Sequence, residues 1–149
     1  MPNREFFTTA DGRRVPALSV AEMREVDRVA VEQTGPTLLQ MMEHAGMELA
    51  QVALEMLGDI WKSSRVIVLA GSGNNGAGGV CAARHLANRG VSVQVVSIRR
   101  PSEADGALGQ QLLALAEAPA EVIRWDEAFD TSDAELVIDA VIGTGLQEA

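Results

Sequence analysis

Residues 66–79 read VIVLAGSGNNGAGG. The first five, residues 66–70, form a continuous apolar run without polar alternation, which is typical of a strand covered on both faces. A glycine-rich loop follows over residues 71–79, and a helix is predicted from about Val80 to Arg89. A strand, a glycine loop and a helix in this order open a βαβ unit and predict a parallel sheet.

The segment GSGNNG, residues 71–76, satisfies the GxGxxG pattern at the place where that pattern binds nucleotides. Glycines let main-chain N–H groups approach an anion closely, and the N-terminus of the helix that follows is electropositive. No Lys-Ser or Lys-Thr pair follows the glycines, so this is not a Walker A loop. The glycines could also serve only a tight turn beneath a helix. The strand before them and the helix after them favour a ligand-binding loop.

Strands and helices continue to alternate after this unit. The pattern predicts a strand at residues 91–98, a helix marked by Leu108, Leu112 and Leu115, and strands at residues 121–124 and 136–142. We therefore expect an α/β fold: a three-layer α/β/α Rossmann-like sandwich with a mostly parallel sheet.

Two helices are predicted to lead into this sheet. Ser19 and Glu22 have capping-box spacing, and Gly35-Pro36 ends the helix that they begin. Thr37 and Gln40 repeat that spacing before a second helix, which reaches about residue 57. Its predicted apolar stripe consists of Leu38, Met41, Met42, Ala45, Leu49, Val52 and Met56.

The chain is predicted to hold one domain, residues 18–149, after an N-terminal arm of residues 1–17. The arm is either loose or a small hairpin that turns at Asp11-Gly12. At the other end, residues 137–142 read as a buried inner strand, and an unpaired apolar edge there would promote association. We expect either a fragment of a longer protein, which we favour, or a second copy that covers this edge.

Composition excludes several classes of function. The 149 residues carry 12 Lys+Arg and 21 Asp+Glu, a formal net charge of -9, whereas nucleic acids and anionic membranes need a basic face. We expect neither as a partner, although one local site can still bind a small phosphorylated ligand. The single cysteine, Cys81, indicates a reducing, cytoplasmic location. The lack of tyrosine excludes a tyrosine acid, and two histidines argue against a multi-histidine metal centre.

A second loop follows the last predicted strand, beginning at Asp139 and including Gly143-Thr144-Gly145. In open parallel sheets, ligands bind beyond the carboxyl ends of the strands, where the winding reverses. We therefore expect Asn74 and Asn75 to face Asp139 and this turn. An Asp among apolar strand residues needs a cation or hydrogen bonds. Its role is either functional, which we favour, or to hold the first glycine loop in place.

Two arginines, Arg99 and Arg100, stand about twenty residues past the glycine loop, where NAD-binding folds carry an acidic ribose ligand. Guanidinium groups there would favour a 2′-phosphate. Two solvent-exposed surface arginines are an equally good interpretation.

Together these motifs resemble the N-terminal YjeF domain, the family of NAD(P)H-hydrate epimerases. The resemblance starts near Leu18 and includes MEHAG at residues 42–46, AARHL at 82–86 and the two glycine loops at 71–76 and 139–146. The pair of loops is much more specific than either loop alone. The resemblance implies an isomerase that interconverts the R and S epimers of hydrated NADH or NADPH and so repairs damaged cofactor.

The resemblance also implies particular roles for residues of both loops. Asn75 and Asp139 would hold part of a potassium ion, and Asp139 would be catalytic, because a carboxylate stabilises the iminium-like cation formed when the C–O bond breaks. Contacts to the hydrated dinucleotide are expected from Asn74, Asn75, Gly76, Ala77, Gly78, Gly143, Thr144, Gly145, Leu146, Gln147, Glu148 and Ala149. We also expect a homodimer formed through the N-terminal helices, and a dehydratase as a fused or separate partner.

Two departures from the family pattern keep a second hypothesis open. The family's loop usually reads Asn-Asn-Gly-Gly-Asp-Gly, whereas residues 74–79 read NNGAGG, so Gly78 stands in the acidic place. The family domain also continues into a later strand with an Asp-Ile-Pro-Ser-Gly-type motif, which these 149 residues do not contain. The alternative is a non-catalytic nucleotide-binding or dimerisation module on the same fold.

Overall fold

The computed structural model describes residues 5–144. They divide into two compact units, one that ends at Thr37 and one that begins at Leu38. The predicted boundary between residues 17 and 18 stays a prediction.

The first unit contains a hairpin and a helix. Strands β1 (Phe6–Thr8) and β2 (Arg14–Pro16) pair antiparallel, so the hairpin alternative for the arm is confirmed. Helix α1 (Val20–Val29) begins with the predicted Ser19 and Glu22 capping box. It continues as one π-helical turn (Ala30–Thr34), which ends at Gly35, where φ is +104°.

The second unit is built on a four-stranded parallel sheet, and the predicted parallel α/β fold is confirmed. Its strand order is β5-β4-β3-β6. The strands are β3 (Arg65–Ala70), β4 (Ser92–Ser97), β5 (Ala120–Arg124) and β6 (Leu136–Ala140). Val66, Ile67 and Val68 of β3 are fully buried, as their unbroken apolar run predicts. Because the chain crosses back from β5 to β6 on the far side of β3, the winding reverses between β3 and β6.

Three helices share one hydrophobic core with the sheet. They are α2 (Leu38–Leu57), α3 (Asn74–Asn88) and α4 (Gly106–Leu115), and a short 3-10 turn (Gly58–Ile60) follows α2. The core joins Ala50 and Ala53 of α2 and Leu86 of α3 to Val68 and Val95 of the strands. Leu108, Leu112 and Leu115 of α4 are buried in it as predicted.

The predicted start of the helix after the glycine loop was wrong. Helix α3 begins at Asn74, so six residues assigned to the loop form its first turns. Glycine disfavours a helix interior, but close packing decides here. A Cβ atom on Gly79 would lie 2.5 Å from the Cβ atom of Ala140, and one on Gly76 would lie 1.9 Å from the Gly71 carbonyl oxygen. These glycines let α3 lie directly on the sheet and the loop.

The predicted apolar stripe of α2 was also wrong for most of its residues. Of the predicted residues only Met42 is buried, and the others on the buried face are Gly46, Ala50, Ala53 and Leu57. Larger side chains of the predicted stripe are exposed, among them Leu38, Leu49, Val52 and Met56. Helix α3 is the reason: a Cβ atom on Gly46 would lie 2.5 Å from the Cys81 sulfur, so only small residues fit this contact.

Strand β6 differs from the predicted buried inner strand. It ends at Ala140, and within residues 5–144 it pairs with β3 alone. Its burial alternates, because Ile138 and Ala140 are buried while Val137 and Asp139 are exposed. The apolar composition of this segment therefore did not reveal that one face of the strand is exposed.

Candidate functional site

The two glycine loops meet at the carboxyl edge of the sheet. The Asn75 side-chain Nδ2 donates a hydrogen bond to the Ile142 carbonyl oxygen at 3.1 Å. A Cβ atom on Gly143 would lie 2.9 Å from the Cβ atom of Asn75, so Gly143 lets the second loop pack against the start of α3. Asn75 is thus the side chain that joins the first loop to the second.

The main chains of the two loops also approach closely at Gly71. A Cβ atom there would lie 1.9 Å from the Val141 carbonyl oxygen, so a side chain would force the loops apart. The Gly71 N–H donates to the Ala140 oxygen at 3.1 Å, which extends the pairing of β3 and β6 by one bond. Gly71 therefore closes the floor of the crevice where the winding of the sheet reverses.

Asp139 lies on β6 beside Leu69 of β3, one residue before the strand ends. Its side chain is exposed on the face opposite Ala140, which packs against α3. One carboxylate oxygen, Oδ1, accepts a hydrogen bond from the Val141 N–H at 3.0 Å. Within residues 5–144 the other oxygen has no hydrogen-bond partner, so an acceptor at the carboxyl edge stays available.

The expectation that Asp139 needs a cation or hydrogen bonds to offset its burial is wrong, because its side chain is exposed. Exposed carboxylates are solvated at no such cost. Any cation at Asp139 would therefore be bound for function and not to compensate for burial.

The N-terminus of α3 presents main-chain donors to the same crevice. Gly73 is the N-cap residue and supplies no side-chain cap, and the side chains of Asn74 and Asn75 are exposed. The first N–H groups of a 15-residue helix without a cap form an electropositive surface that suits a phosphate group. Around Gly78 a Cβ atom would meet nothing within 4 Å, so space for a larger residue exists there.

The structure places only some of the predicted contact residues. Residues Asn74 to Gly78 form the first turns of α3, and Gly143 and Thr144 follow β6 with exposed surfaces. Gly145, Leu146, Gln147, Glu148 and Ala149 lie outside the described residues.

A second polar cluster, which sequence reasoning missed, joins α2 to α3. The Glu43 carboxylate accepts a hydrogen bond from Arg84 Nη2 at 2.7 Å and lies 2.8 Å from His85 Nε2. The Cys81 thiol donates to the same carboxylate at 3.3 Å. From the sequence alone, Cys81 indicates only a reducing location, and His85 is only a part of the AARHL motif. Their spacing of four on one helix, combined with AARHL and MEHAG in the same chain, was the available signal.

The cluster perturbs the acidity of its members. Burial raises the pKa of Glu43, but the hydrogen bonds from Arg84, Cys81 and His85, together with the charge of Arg84, outweigh it, so the pKa lies below its usual value. Burial, followed by the neighbouring Glu43 carboxylate, raises the pKa of the Cys81 thiol to about 11. The cluster therefore holds a charged carboxylate, a cation and a neutral thiol at neutral pH.

This cluster is better explained as a tie between helices than as a metal centre. Ligand atoms of Glu43, Cys81 and His85 lie within 4.8 Å of one another. A metal would need the Cys81 thiolate, which its raised pKa disfavours, and it would compete with the Arg84 guanidinium for Glu43. The carboxylate, already neutralised by an arginine, instead fixes α3 against α2.

None of the helices in the described part of the chain combines the length and the apolar character needed to cross a bilayer.

Comparison with known proteins identifies a family and several relatives that are similar to this chain. Residues 38–149 match the family described as YjeF-related protein N-terminus. The chain is 45% identical over 140 residues to an NAD(P)H-hydrate epimerase of Dehalogenimonas lykanthroporepellens, a match that covers 94% of this chain and 56% of that relative. It is 39% identical over 130 residues to a bifunctional NAD(P)H-hydrate repair enzyme Nnr of Hyperthermus butylicus, covering 79% of this chain and 22% of that one.

The fold is also similar to a solved structure. The crystal structure of yeast ynu0 (YNL200c) matches with a TM-score of 0.78 and 28% identity, over 91% of this chain and 60% of that chain. The chain thus spans little more than half the length of the epimerase relative that it matches at 45% identity. On the family match and these similarities, the chain belongs to the YjeF-related protein N-terminus family.

Proposed function

We propose that this chain interconverts the R and S epimers of hydrated NADH and NADPH. The observation that carries the proposal is the hydrogen bond from Asn75 to Ile142, because it unites the two glycine loops beside the exposed carboxylate of Asp139. The relative with 45% identity is named NAD(P)H-hydrate epimerase, which supports the same reaction.

In this proposal the dinucleotide lies across the carboxyl edge of the sheet. Its pyrophosphate binds the N–H groups of Asn74, Asn75 and Gly76, which the helix itself leaves unpaired, and Ala77 and Gly78 line the same turns of α3. The hydrated ring lies at the second loop, where Gly143 and Thr144 contact it. The switch of winding between β3 and β6 supports this placement, since ligands of open parallel sheets bind there.

Epimerisation requires that the C–O bond of the hydrated ring carbon break and form again. The ring nitrogen lone pair forms a C=N bond as the hydroxyl leaves, and protonated Asp139 delivers the proton that makes it water. The resulting carboxylate stabilises the iminium cation. Water then adds from the opposite face and returns its proton to Asp139, so atoms and charge balance over the cycle.

Two side-chain oxygens, one from each glycine loop, are of the kind that a potassium ion takes as ligands. Asn75 uses its Nδ2 for Ile142, which leaves Oδ1 as a neutral oxygen donor, and Asp139 adds carboxylate oxygen. Hard cations prefer such ligands. We propose that Asn75 and Asp139 hold the ion, which when bound supplies positive charge beside an anionic substrate.

The test is epimer exchange with Asp139→Asn. The chain is incubated with the purified R epimer of hydrated NADPH and potassium, and appearance of the S epimer is followed against a protein-free control. Asparagine keeps the oxygen that accepts from Val141, so the fold and substrate binding should persist while the rate falls by about 10²-fold or more. Asp59→Asn, an exposed aspartate on the turn after α2, is the matched control. An Asp139→Asn protein with the parent rate would remove the proposed catalytic role.

The alternative is a non-catalytic nucleotide-binding or dimerisation module on the same fold. The absence of an acidic side chain at Gly78 is the observation that favours it. A folded chain that binds the hydrated dinucleotide without accelerating epimer exchange would establish this alternative.

Three further proposals concern partners and location. A homodimer is supported by the exposed α2 residues Leu49, Val52 and Met56, whose apolar side chains a second copy of the chain would bury. Light scattering should then give twice the chain mass, and Val52→Glu should restore the single mass.

A dehydratase partner, fused or separate, is supported by the name of the bifunctional relative. The single buried cysteine supports a reducing, cytoplasmic location.

A further inference from the structure

The carboxyl ends of β4 and β5 enclose a cavity of about 500 Å³. Three arginines line it, Arg99 and Arg100 after β4 and Arg124 at the end of β5, together with Ser102 and Glu127. The cavity lies outside the crevice between the two glycine loops.

The cavity is cationic in a chain whose formal net charge is -9. Within residues 5–144, neither the Arg99 nor the Arg100 guanidinium group forms an ion pair, whereas Arg124 Nε pairs with Asp126 at 3.1 Å. Glu127 directs one oxygen to the main-chain N–H of Arg124 at 3.0 Å. The lining therefore carries three guanidinium groups against one carboxylate, while Asp126 and Glu103 stand just outside it.

The main chain holds these arginines at the sheet edge. The Arg99 N–H donates to the Oγ atom of Ser97, a fully buried residue, at 3.3 Å. Next to it, the Arg100 N–H donates to Glu103 at 3.3 Å. The main chain of Arg99 and Arg100 is therefore held by hydrogen bonds, while the two guanidinium groups stay available for a ligand.

The cavity occupies a defined place relative to the glycine loop. Strand β4 adjoins β3, and the Ile98 N–H donates to the Ala70 oxygen at 3.1 Å, so both strands end level. Since neighbouring strands lie about 4.8 Å apart, the cavity between β4 and β5 is about 7 Å from the end of β3. In dinucleotide folds the end of this second strand reads the adenosine ribose, with a carboxylate for a 2′-hydroxyl and an arginine for a 2′-phosphate. Here the strand end carries arginines.

We propose that this cavity binds the 2′-phosphate of the adenosine half, so that the chain prefers the hydrate of NADPH to that of NADH. The planar guanidinium fork of Arg99 or Arg100 matches a phosphate with two parallel hydrogen bonds. The proposal rests on the proposed function for the identity of the dinucleotide. Of the two interpretations of the arginine pair, the proposal adopts the phosphate ligand.

Calorimetric titration of the whole chain tests the phosphate contact without any reaction. Adenosine 2′,5′-bisphosphate should bind about tenfold or more tightly than adenosine 5′-monophosphate, because only the first places a phosphate in the cavity. The double variant Arg99→Gln/Arg100→Gln should lose this preference and keep the affinity for the monophosphate. Arg13→Gln/Arg14→Gln, the other adjacent arginine pair, should keep the preference.

Equal affinity for the two adenosine probes would overturn the proposal. So would inorganic phosphate that displaces the bisphosphate at equal concentration, because that result indicates a general anion site.

Kinetics separate this proposal from the proposed function. A chain that lacks epimerase activity but shows the arginine-dependent preference for the bisphosphate overturns the function and keeps the phosphate site. A chain that epimerises both hydrates with equal kcat/KM, unaffected by the double variant, keeps the function and overturns the phosphate site.

Discussion

The side-chain amide of Asn75 donates to the main-chain oxygen of Ile142 at 3.1 Å, across 67 positions of sequence. The bond fixes the orientation of the carboxamide, because its nitrogen is used for the Ile142 carbonyl and its oxygen is left as an acceptor. Gly143 packs against the same residue. Asn75 thus helps to hold the two loops together, in addition to the main-chain contact at Gly71, and keeps a side-chain oxygen as a possible ligand.

Replacing Asn75 by alanine should loosen this junction. The lost hydrogen bond is expected to lower the free energy of unfolding by about 0.5–1.5 kcal/mol, measured by urea denaturation. Asn74→Ala is the matched control, since Asn74 is also exposed in the same first turn. If Asn75 also holds potassium, its variant should lose the potassium dependence of epimer exchange. Equal stability of the two variants would contradict the structural role of Asn75.

Two glycines in α3 should respond oppositely to alanine. Gly76→Ala places a Cβ atom 1.9 Å from the Gly71 oxygen and should destabilise the fold by about 1–3 kcal/mol or more. Gly78→Ala meets nothing within 4 Å and should stabilise it by about 0.5–1 kcal/mol, because alanine is the better helix former. Thermal unfolding of both variants measures the difference, and a stabilising Gly76→Ala would refute the close approach.

The same space at Gly78 allows the acidic residue of the family loop to be restored. Gly78→Asp should fold with a stability within about 0.5 kcal/mol of the parent, because a Cβ atom at this half-buried position meets nothing within 4 Å and an acidic residue suits the first turns of a helix. If that carboxylate supplies a substrate contact, epimer exchange should accelerate. An unchanged rate in a folded variant would show that the contact is dispensable.

Removing the charge of Glu43 should destabilise the chain in a pH-dependent manner. Its pKa lies below the usual value in the folded state, so its contribution is present above the unfolded pKa and is lost as pH falls through the folded one. Because the Glu43 side chain is 45% exposed, we expect Glu43→Gln to cost only about 1–2 kcal/mol at neutral pH.

Urea denaturation at about pH 7 and at about pH 3 measures this effect, and the gap between parent and variant should narrow at the acidic value, below the ordinary glutamate pKa. Glu48→Gln, on the exposed side of α2, should show little difference at either pH. A gap that does not change with pH would mean that the ionised carboxylate is not the stabilising form.

The thiol of Cys81 should resist alkylation in the folded chain. It is fully buried, and burial raises its pKa to about 11 from 9.0. Two pKa units lower the thiolate fraction about 100-fold, so iodoacetamide at about pH 8 should react at least that much more slowly than with the unfolded chain. As the only cysteine, Cys81 gives one mass shift to follow. Equal rates would show that the α2–α3 contact opens readily.

The raised pKa of Cys81 also makes the free energy of unfolding depend on pH. Its neutral form is favoured in the folded chain, so the stability is present below the unfolded pKa and declines as pH rises toward about 11. Cys81→Ser or Cys81→Ala should therefore reduce the fall in the free energy of unfolding between about pH 8 and about pH 10. This range spans the ordinary thiol pKa, where the unfolded chain begins to ionise.

The sequence by itself determined the order of elements, because hydrophobic periodicity is local. The unbroken run at residues 66–70 predicted a doubly buried strand, and Ser19 with Glu22 predicted the start of α1. The two glycine loops and Asp139 were also visible, since strand ends and glycines are read from neighbouring residues.

Only the tertiary structure decided which faces are covered and which distant side chains meet. The large residues of α2 looked like its buried face, yet α3 approaches so closely that Gly46 and Ala50 occupy the contact. Likewise, Asp139 lies on an open face of β6, and Glu43 meets Arg84 across two helices. Burial and pairing depend on residues that are far away in sequence. The local hydrophobic pattern of one helix does not determine how closely a second helix packs against it.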